Sequence, residues 1–185
     1  MATNIPTLNK FLNKFSPLFS KKQFIAFLFF IYAFFNDYKR NCLYSMSKQS
    51  NLNYQSFQYF FSEAKWDIDE LNDERIHILQ AQLTTTSTYS GILGIDDTGC
   101  PKPYAKNTVG AKFQYCGPLK RNEVCNVSVA SAFLSDSRSF IVNNKFYKPN
   151  SEFMFGKNDV QFKSKIQLAK DLVIDALDKR IKFSL

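Results

Sequence analysis

Gly91-Ile92-Leu93-Gly94-Ile95-Asp96-Asp97-Thr98-Gly99 is the stretch on which the fold turns. Five apolar residues are followed by two carboxylates, a β-branched residue and a glycine. A short apolar run of this kind reads as a buried strand. Its ending reads in two ways. Asp96-Asp97-Thr98-Gly99 has the composition of a turn. It also has the form of a metal ligand held out from a rigid central strand. Two-cation chemistry needs that rigidity, because a misplacement of about 1 Å is costly. The residues alone leave both readings open.

Downstream, Pro101, Pro103 and Gly110 punctuate a Lys-rich loop. Val124, Asn126, Ser128 and Ala130 alternate with Cys125, Val127, Val129 and Ser131, the period of a second strand. Phe140 to Tyr147 reads as a third, closed by Pro149. From Gln161 to Arg180 the apolar residues Phe162, Ile166, Ala169, Leu172, Val173, Ala176 and Leu177 define an amphipathic helix, with Asp171, Asp175 and Asp178 on its polar face. Ile181 to Leu185 looks like the start of a further strand. Three antiparallel strands, a helix, and a strand returning beside the first is the order that opens an RNase H-like fold. Other α+β folds share it.

Upstream the chain reads as helices. Leu8, Phe11, Leu12 and Phe15 form one helical stripe. Ser20 and Gln23 make a capping box that opens an apolar helix over Phe24–Phe35. A third helix is expected over Tyr38–Lys48 with Cys42, Leu43 and Met46 inward. A fourth follows Asn53, with Tyr54, Phe57, Phe60 and Phe61 on one face. Asp67 and Glu70 cap a fifth, continued by Ile68, Leu71, Arg75, Ile78 and Leu79. His77 is expected at or near its surface. The polar, β-branched run at 84–90 marks a boundary. The expectation is therefore a helical region over residues 1–90, a candidate DNA-binding region, and an α+β region over 91–185. No glycine-marked helix-turn-helix is visible, so a plain helical bundle with a basic surface remains the alternative.

The 185 residues, 45% of them hydrophobic and 20 of them Phe, can fill a core, which excludes a wholly disordered chain. The formal net charge is +8, which suits a polyanionic partner. Residues 1–60 carry a net of +6, residues 61–90 a net of −4 and residues 98–165 a net of +7. Cys42, Cys100, Cys116 and Cys125 form no CxxC pair, so reduced thiols are expected and zinc is not. The Phe24–Phe35 run is shorter than the roughly 20 residues a bilayer span needs, and it reads as a buried helix, with no membrane partner expected.

One combination reaches beyond composition. Ile95-Asp96-Asp97-Thr98-Gly99, Pro101-Lys102, Thr108-Val109-Gly110-Ala111 and Gln114-Tyr115-Cys116-Gly117, in this order, resemble insertion-sequence transposases of the DDE endonuclease superfamily. Val127, Val129 and Ala132, then Phe146-Tyr147 and Pro149, continue the likeness. Upstream, Phe15-Ser16-Pro17-Leu18-Phe19, Lys39-Arg40, Gln58–Phe61 and Lys65-Trp66 resemble the family's helical N-terminal region. Val124-Cys125-Asn126 and Ser128 depart from its pattern at positions that are not metal ligands.

The resemblance implies an RNase H-like catalytic region in which Asp97, directly before Thr98, is the first metal ligand. Asp96 is the alternative, since a one-residue shift reverses the face a strand residue points to. It implies Mg²⁺ or Mn²⁺ as cofactor, double-stranded DNA at transposon ends as substrate, and a homo-oligomer in a bacterial cytoplasm, associated with the nucleoid. Lys102, Lys106, Lys112, Lys120 and Arg121 are the candidate phosphate contacts. In the resembled family a second aspartate closes the strand after the long helix, and a glutamate lies further on; here that strand has only begun at Leu185. The expectation is thus a transposase fragment that holds one ligand of the triad and does not cleave DNA alone. Two other readings stand beside it: a non-catalytic DNA-binding module, and an unrelated α+β domain in which the aspartates form a turn.

Overall fold

The computed structural model of the protein describes residues 6–36, 42–50, 52–106 and 108–184. The chain is α+β, helical first and then an antiparallel sheet of four strands. It divides into two compact units, Met1–Glu74 and Arg75–Leu185.

In the first unit, the stripe through Phe15 is split between helix α1 (Pro6–Leu12) and a 3-10 helix at Asn13–Leu18 that contains Pro17. Proline lacks the N–H a continuing α-helix needs. Leu12 and Phe15 are nonetheless both buried. Helix α2 (Lys21–Asn36) opens on the expected box: Ser20 N donates to Gln23 Oε1 at 2.8 Å, and Gln23 N to Ser20 Oγ at 3.4 Å. It is not the fully buried helix expected. Ala26, Phe27 and Ala33 face inward, whereas Ile25, Phe34 and Phe35 are exposed.

Helix α3 (Leu43–Gln49) starts later than expected; residues 38–41 of that expectation, with Lys39 and Arg40, lie outside the described residues. Cys42 caps α3 and is exposed instead of inward, while Met46 is buried. In helix α4 (Tyr54–Ser62), capped by Asn53, only Phe57 and Phe60 of the expected face are buried. Ala33, Met46 and Phe57 form one buried cluster in this unit. Beside it the Phe60 and Trp66 rings stack at 5.2 Å, with the indole N–H donating to Phe60 O. No helix among the described residues is long and apolar enough to cross a membrane. Helix α5 (Ile68–Gln80), with Asp67 Oδ1 accepting from Asp69 N and Glu70 N, carries the chain onward. Its Ile76 and Ile78 are buried, and His77 is exposed.

In the second unit the polar run at 84–90 is ordered by side chains. Gln80 Oε1 accepts from Thr86 Oγ1, Ser87 N and Ser87 Oγ, and Ser87 Oγ in turn accepts from Lys182 N at 2.8 Å. The sheet comprises β1 (Ile92–Pro101), β2 (Lys112–Cys116), β3 (Arg121–Leu134) and β4 (Ser139–Tyr147). Strand β3 pairs with all three others. Strand β2 is not among the strands that periodicity predicts: part of the Lys-rich segment and Gln114-Tyr115 form a hairpin with the start of β3.

Cys125, Val127, Val129, Ser131 and Phe133 of β3 point to one buried face, as the period of two predicts. A register shift at Ser131/Ala132 changes the phase of β4. It puts Val142 in the core while leaving Ile141 and Phe146 exposed. Helix α6 (Lys165–Asp178) covers the buried face, and Leu168 and Leu172 pack on Val129. It starts four residues later than expected, at the Ser164/Gln167 capping box, and Ile166 and Leu177 are exposed. A second cluster joins Ile76, Phe133, Val142, Ala176 and Ile181. After α6 the chain returns to β1: Ser184 makes a parallel bridge with Ile92, and its N–H donates to Gly91 O at 2.7 Å. That is the return beside the first strand which the element order predicts.

Candidate functional site

Asp96-Asp97-Thr98-Gly99 is strand, not turn. Asp96 pairs with Ala130, Asp97 with Val129, Thr98 with Ser128 and Gly99 with Val127. Opposed residues of an antiparallel pair share a face, so Asp97 stands on the face of buried Val129 and of α6. Asp96 stands on the other, with Ala130. The two carboxylates therefore do not converge. Asp96 instead turns back on the chain, with Oδ1 accepting from Asp97 N at 2.8 Å.

Asp97 has a partner that sequence reasoning misses. Lys165 Nζ lies 2.6 Å from its Oδ2, and the two side chains are 40% and 42% exposed. The same ammonium sits 5.6 Å from the centre of the Tyr147 ring, a cation–π arrangement. Lys165 is the first residue of α6, held by reciprocal bonds between Ser164 and Gln167. A signal for it exists in the sequence: Ser164 and Gln167 have the same spacing as the box at Ser20 and Gln23. A helix begun at Gln161 conceals it.

The remaining members of the motif support the strand. An ideal Cβ on Gly99 would fall 2.9 Å from Cys116 Sγ and 3.1 Å from Cys116 Cα, so glycine lets the β2–β3 hairpin close over β1. Gln114 Nε2 donates to Cys125 O at 2.9 Å, beneath that hairpin. Gly110, at φ +76°, takes a left-handed turn that favours glycine, and its N–H donates to Glu152 Oε1. Cys116, Cys125 and Val127 form a small buried cluster with Tyr147 against it. Burial, with the Cys116 thiol alongside, pushes the Cys125 thiol up from its usual pKa.

The five candidate phosphate contacts are all exposed. Lys102 and Lys106 lie in the loop after β1, where Lys102 N donates to Val124 O. Lys112 opens β2, with Nζ 3.6 Å from Glu152. Lys120, at φ 50°, forms the tip of the β2–β3 hairpin, and Arg121 is engaged by Glu123 at 3.0 Å. Two of the five are thus already paired with carboxylates.

A divalent-cation centre needs several hard oxygen ligands. Asp97 offers one carboxylate, with an ammonium on it, and Asp96 faces away. Among the described residues no three His, Cys, Asp or Glu side chains gather to hold a metal ion. These residues do not by themselves fit a two-cation site.

A family model described as DDE superfamily endonuclease matches residues 14–184. No curated protein matches the chain, and no solved structure does.

Proposed function

The chain belongs to the DDE superfamily endonucleases, and from that premise we propose that it is a transposase chain of an insertion sequence, acting on double-stranded DNA at the element's ends. The family acts on DNA and generally uses divalent metals. Asp97 is the first metal-ligating carboxylate in this reading, and the observation that carries it is the register of β1. Asp97 stands on the α6 side of a paired strand and Asp96 on the reverse side. A turn, the alternative reading of the motif, would have left both on a loop.

Residues 1–90 form the DNA-binding region in this proposal, and residues 91–185 belong to an RNase H-like catalytic region. Lys102, Lys106 and Lys120 meet phosphates directly; Lys112 and Arg121 must first exchange a carboxylate for a phosphate. Magnesium would be held by Asp97 only together with carboxylates that the described residues do not bring beside it. Residues 1–185 alone accordingly bind DNA without cutting it, in a homo-oligomeric complex associated with the nucleoid.

The test is binding and nicking of DNA carrying the element's ends. Binding should weaken steeply with salt and with neutral replacements of Lys102, Lys106 and Lys120. Magnesium-dependent nicking by this polypeptide, abolished by Asp97→Asn, would refute the claim that it does not cut alone. Loss of end binding on Asp97→Asn, with the lysines intact, would count against the division of roles.

A further inference from the structure

Among the described residues strand β4 is paired on one flank only, with β3, and a small cavity opens beside its C-terminal end. Phe146 and Lys148 line it from β4 and the residues just beyond, Phe153, Gln161 and Lys163 from the connection to α6, and Leu168 from α6 itself. Leu168 is buried and packs with Val129, which makes that side of the cavity rigid. Phe153 meets Phe162 edge-on at 5.7 Å, and Phe162 meets the Tyr147 ring at 6.5 Å. Phe146, by contrast, is 69% exposed on a backbone held in register opposite Ser128. The carboxylates nearby are engaged. Asp159 accepts from Gln161 N at 3.0 Å and from Phe155 N at 3.5 Å, and Glu152 is tied to Gly110 N and Lys112. Asp171 holds Lys163 at 2.6 Å, with the two side chains 30% and 53% exposed, an ion pair of the kind that exchanges readily. The cavity therefore offers an exposed aromatic ring, an amide and two lysines. Its volume of about 200 Å³ lies below the roughly 300–1,000 Å³ of sites for drug-sized ligands, and suits a single ring system.

We infer that this cavity takes one unpaired nucleotide of a DNA strand, with the base on Phe146, Gln161 at its polar edge, and Lys148 and Lys163 on the flanking phosphates. The inference rests on the reading of the chain as one that acts on DNA, and it requires no cation at Asp97. Every base has a π-face, so an exposed ring accepts any of them. An amide both donates and accepts, so Gln161 is equally tolerant. A paired base is stacked inside the duplex and cannot reach the ring, so the site selects unpaired DNA. Its position fits the rest of the molecule. Leu168 follows Lys165, the partner of Asp97, by three residues, on the same side of α6. The nucleotide site thus lies one turn of α6 from the residue that meets Asp97.

The test is fluorescence anisotropy on the full 185-residue chain with three labelled DNAs. They are a single strand of about ten thymidines, within the usual site sizes, the same strand built of abasic residues, and a hairpin duplex. The thymidine strand should bind about tenfold more tightly than the abasic one, and Phe146→Ala should remove that difference, as loss of one stacking ring does. Phe146→Tyr should restore it, and neither variant should change duplex binding. Lys148→Gln and Lys163→Gln should each lower the slope of log affinity for the thymidine strand against log salt by about 0.7. Circular dichroism melting identifies any variant that has lost its fold. If Phe146→Ala does so, Phe146→Leu, which keeps the bulk and loses the flat ring, takes its place. Equal binding of the thymidine and abasic strands overturns the inference, as does a Phe146→Ala loss that is the same on single strand and duplex, or a salt slope unchanged in both lysine variants. Duplex binding that persists in those cases leaves the DNA reading intact. No binding of any of the three DNAs overturns both.

Discussion

Gly99 and Cys116 approach so closely that the side chain glycine lacks would lie 2.9 Å from the Cys116 sulfur and 3.1 Å from its α-carbon. The strand bearing Asp97 and the hairpin ahead of β3 are fitted together at this point. Gly99→Ala should therefore destabilise the second unit by about 1–3 kcal/mol, the usual cost of overpacking. Cys116→Ala should recover only part of the loss, because the new methyl group would still press on the backbone of residue 116. Urea denaturation measures both, and a Gly99→Ala chain as stable as the original would show that the hairpin yields freely.

Arg75 spans the register shift in β4, donating from Nη2 to Ile141 O at 2.7 Å and to Val142 O at 3.0 Å. Burial lowers its pKa from the ordinary value. Arg75→Met should cost about 1–3 kcal/mol by removing two hydrogen bonds from a charged donor. Arg75→Lys should not recover it, since an ammonium lacks the planar fork. Thermal melting separates the two, and full recovery by lysine would contradict the geometry.

Leu172 is fully buried where α6 meets Val129 beneath the Asp97 face. Truncating it to alanine should cost about 2–5 kcal/mol, against much less for Ile166→Ala, whose side chain is exposed. Comparable losses at the two positions would mean that α6 does not dock on this face.

The thiols divide by accessibility. Cys42 and Cys100 are exposed, while Cys116 and Cys125 are buried, and the Cys125 pKa is raised. Thiolate is the reactive form. Alkylation of the native chain should modify Cys42 and Cys100 first, while Cys116 and Cys125 should stay protected until denaturant is added. Mass spectrometry of the labelled peptides reads this directly. Early modification of Cys125 at neutral pH would show that its cluster opens.

Much of the architecture is legible in the sequence because its signals are local. The alternation through Val127 and Val129, the box at Ser20 and Gln23, and the apolar period of α6 each state their element. What escapes depends on distant partners. Lys112–Cys116 carries no clear alternation, and it is a strand because β3 extends far enough to pair with it. The inward turn of Val142 depends on a register shift that no pattern within β4 announces. For the site, the apolar approach to Asp97 announces a strand but leaves its ending open between strand and turn, and both that choice and which of two adjacent aspartates faces α6 are fixed only by pairing with β3. Lys165 cannot be joined to Asp97 from sequence, because their meeting depends on how α6 lies across the sheet.

The bond from Ser184 to Gly91 ties the last described residue to the strand that opens the sheet. A ribosome makes that connection late. While β3, β4 and α6 are being synthesised, the Gly91–Ile92 end of β1 has only solvent on that flank for its backbone groups, and a bare strand flank recruits other chains. The nascent chain should accordingly be most prone to associate with its neighbours between the emergence of β3 and that of Ser184. The polysome, where copies are made side by side, is the place where such encounters would begin.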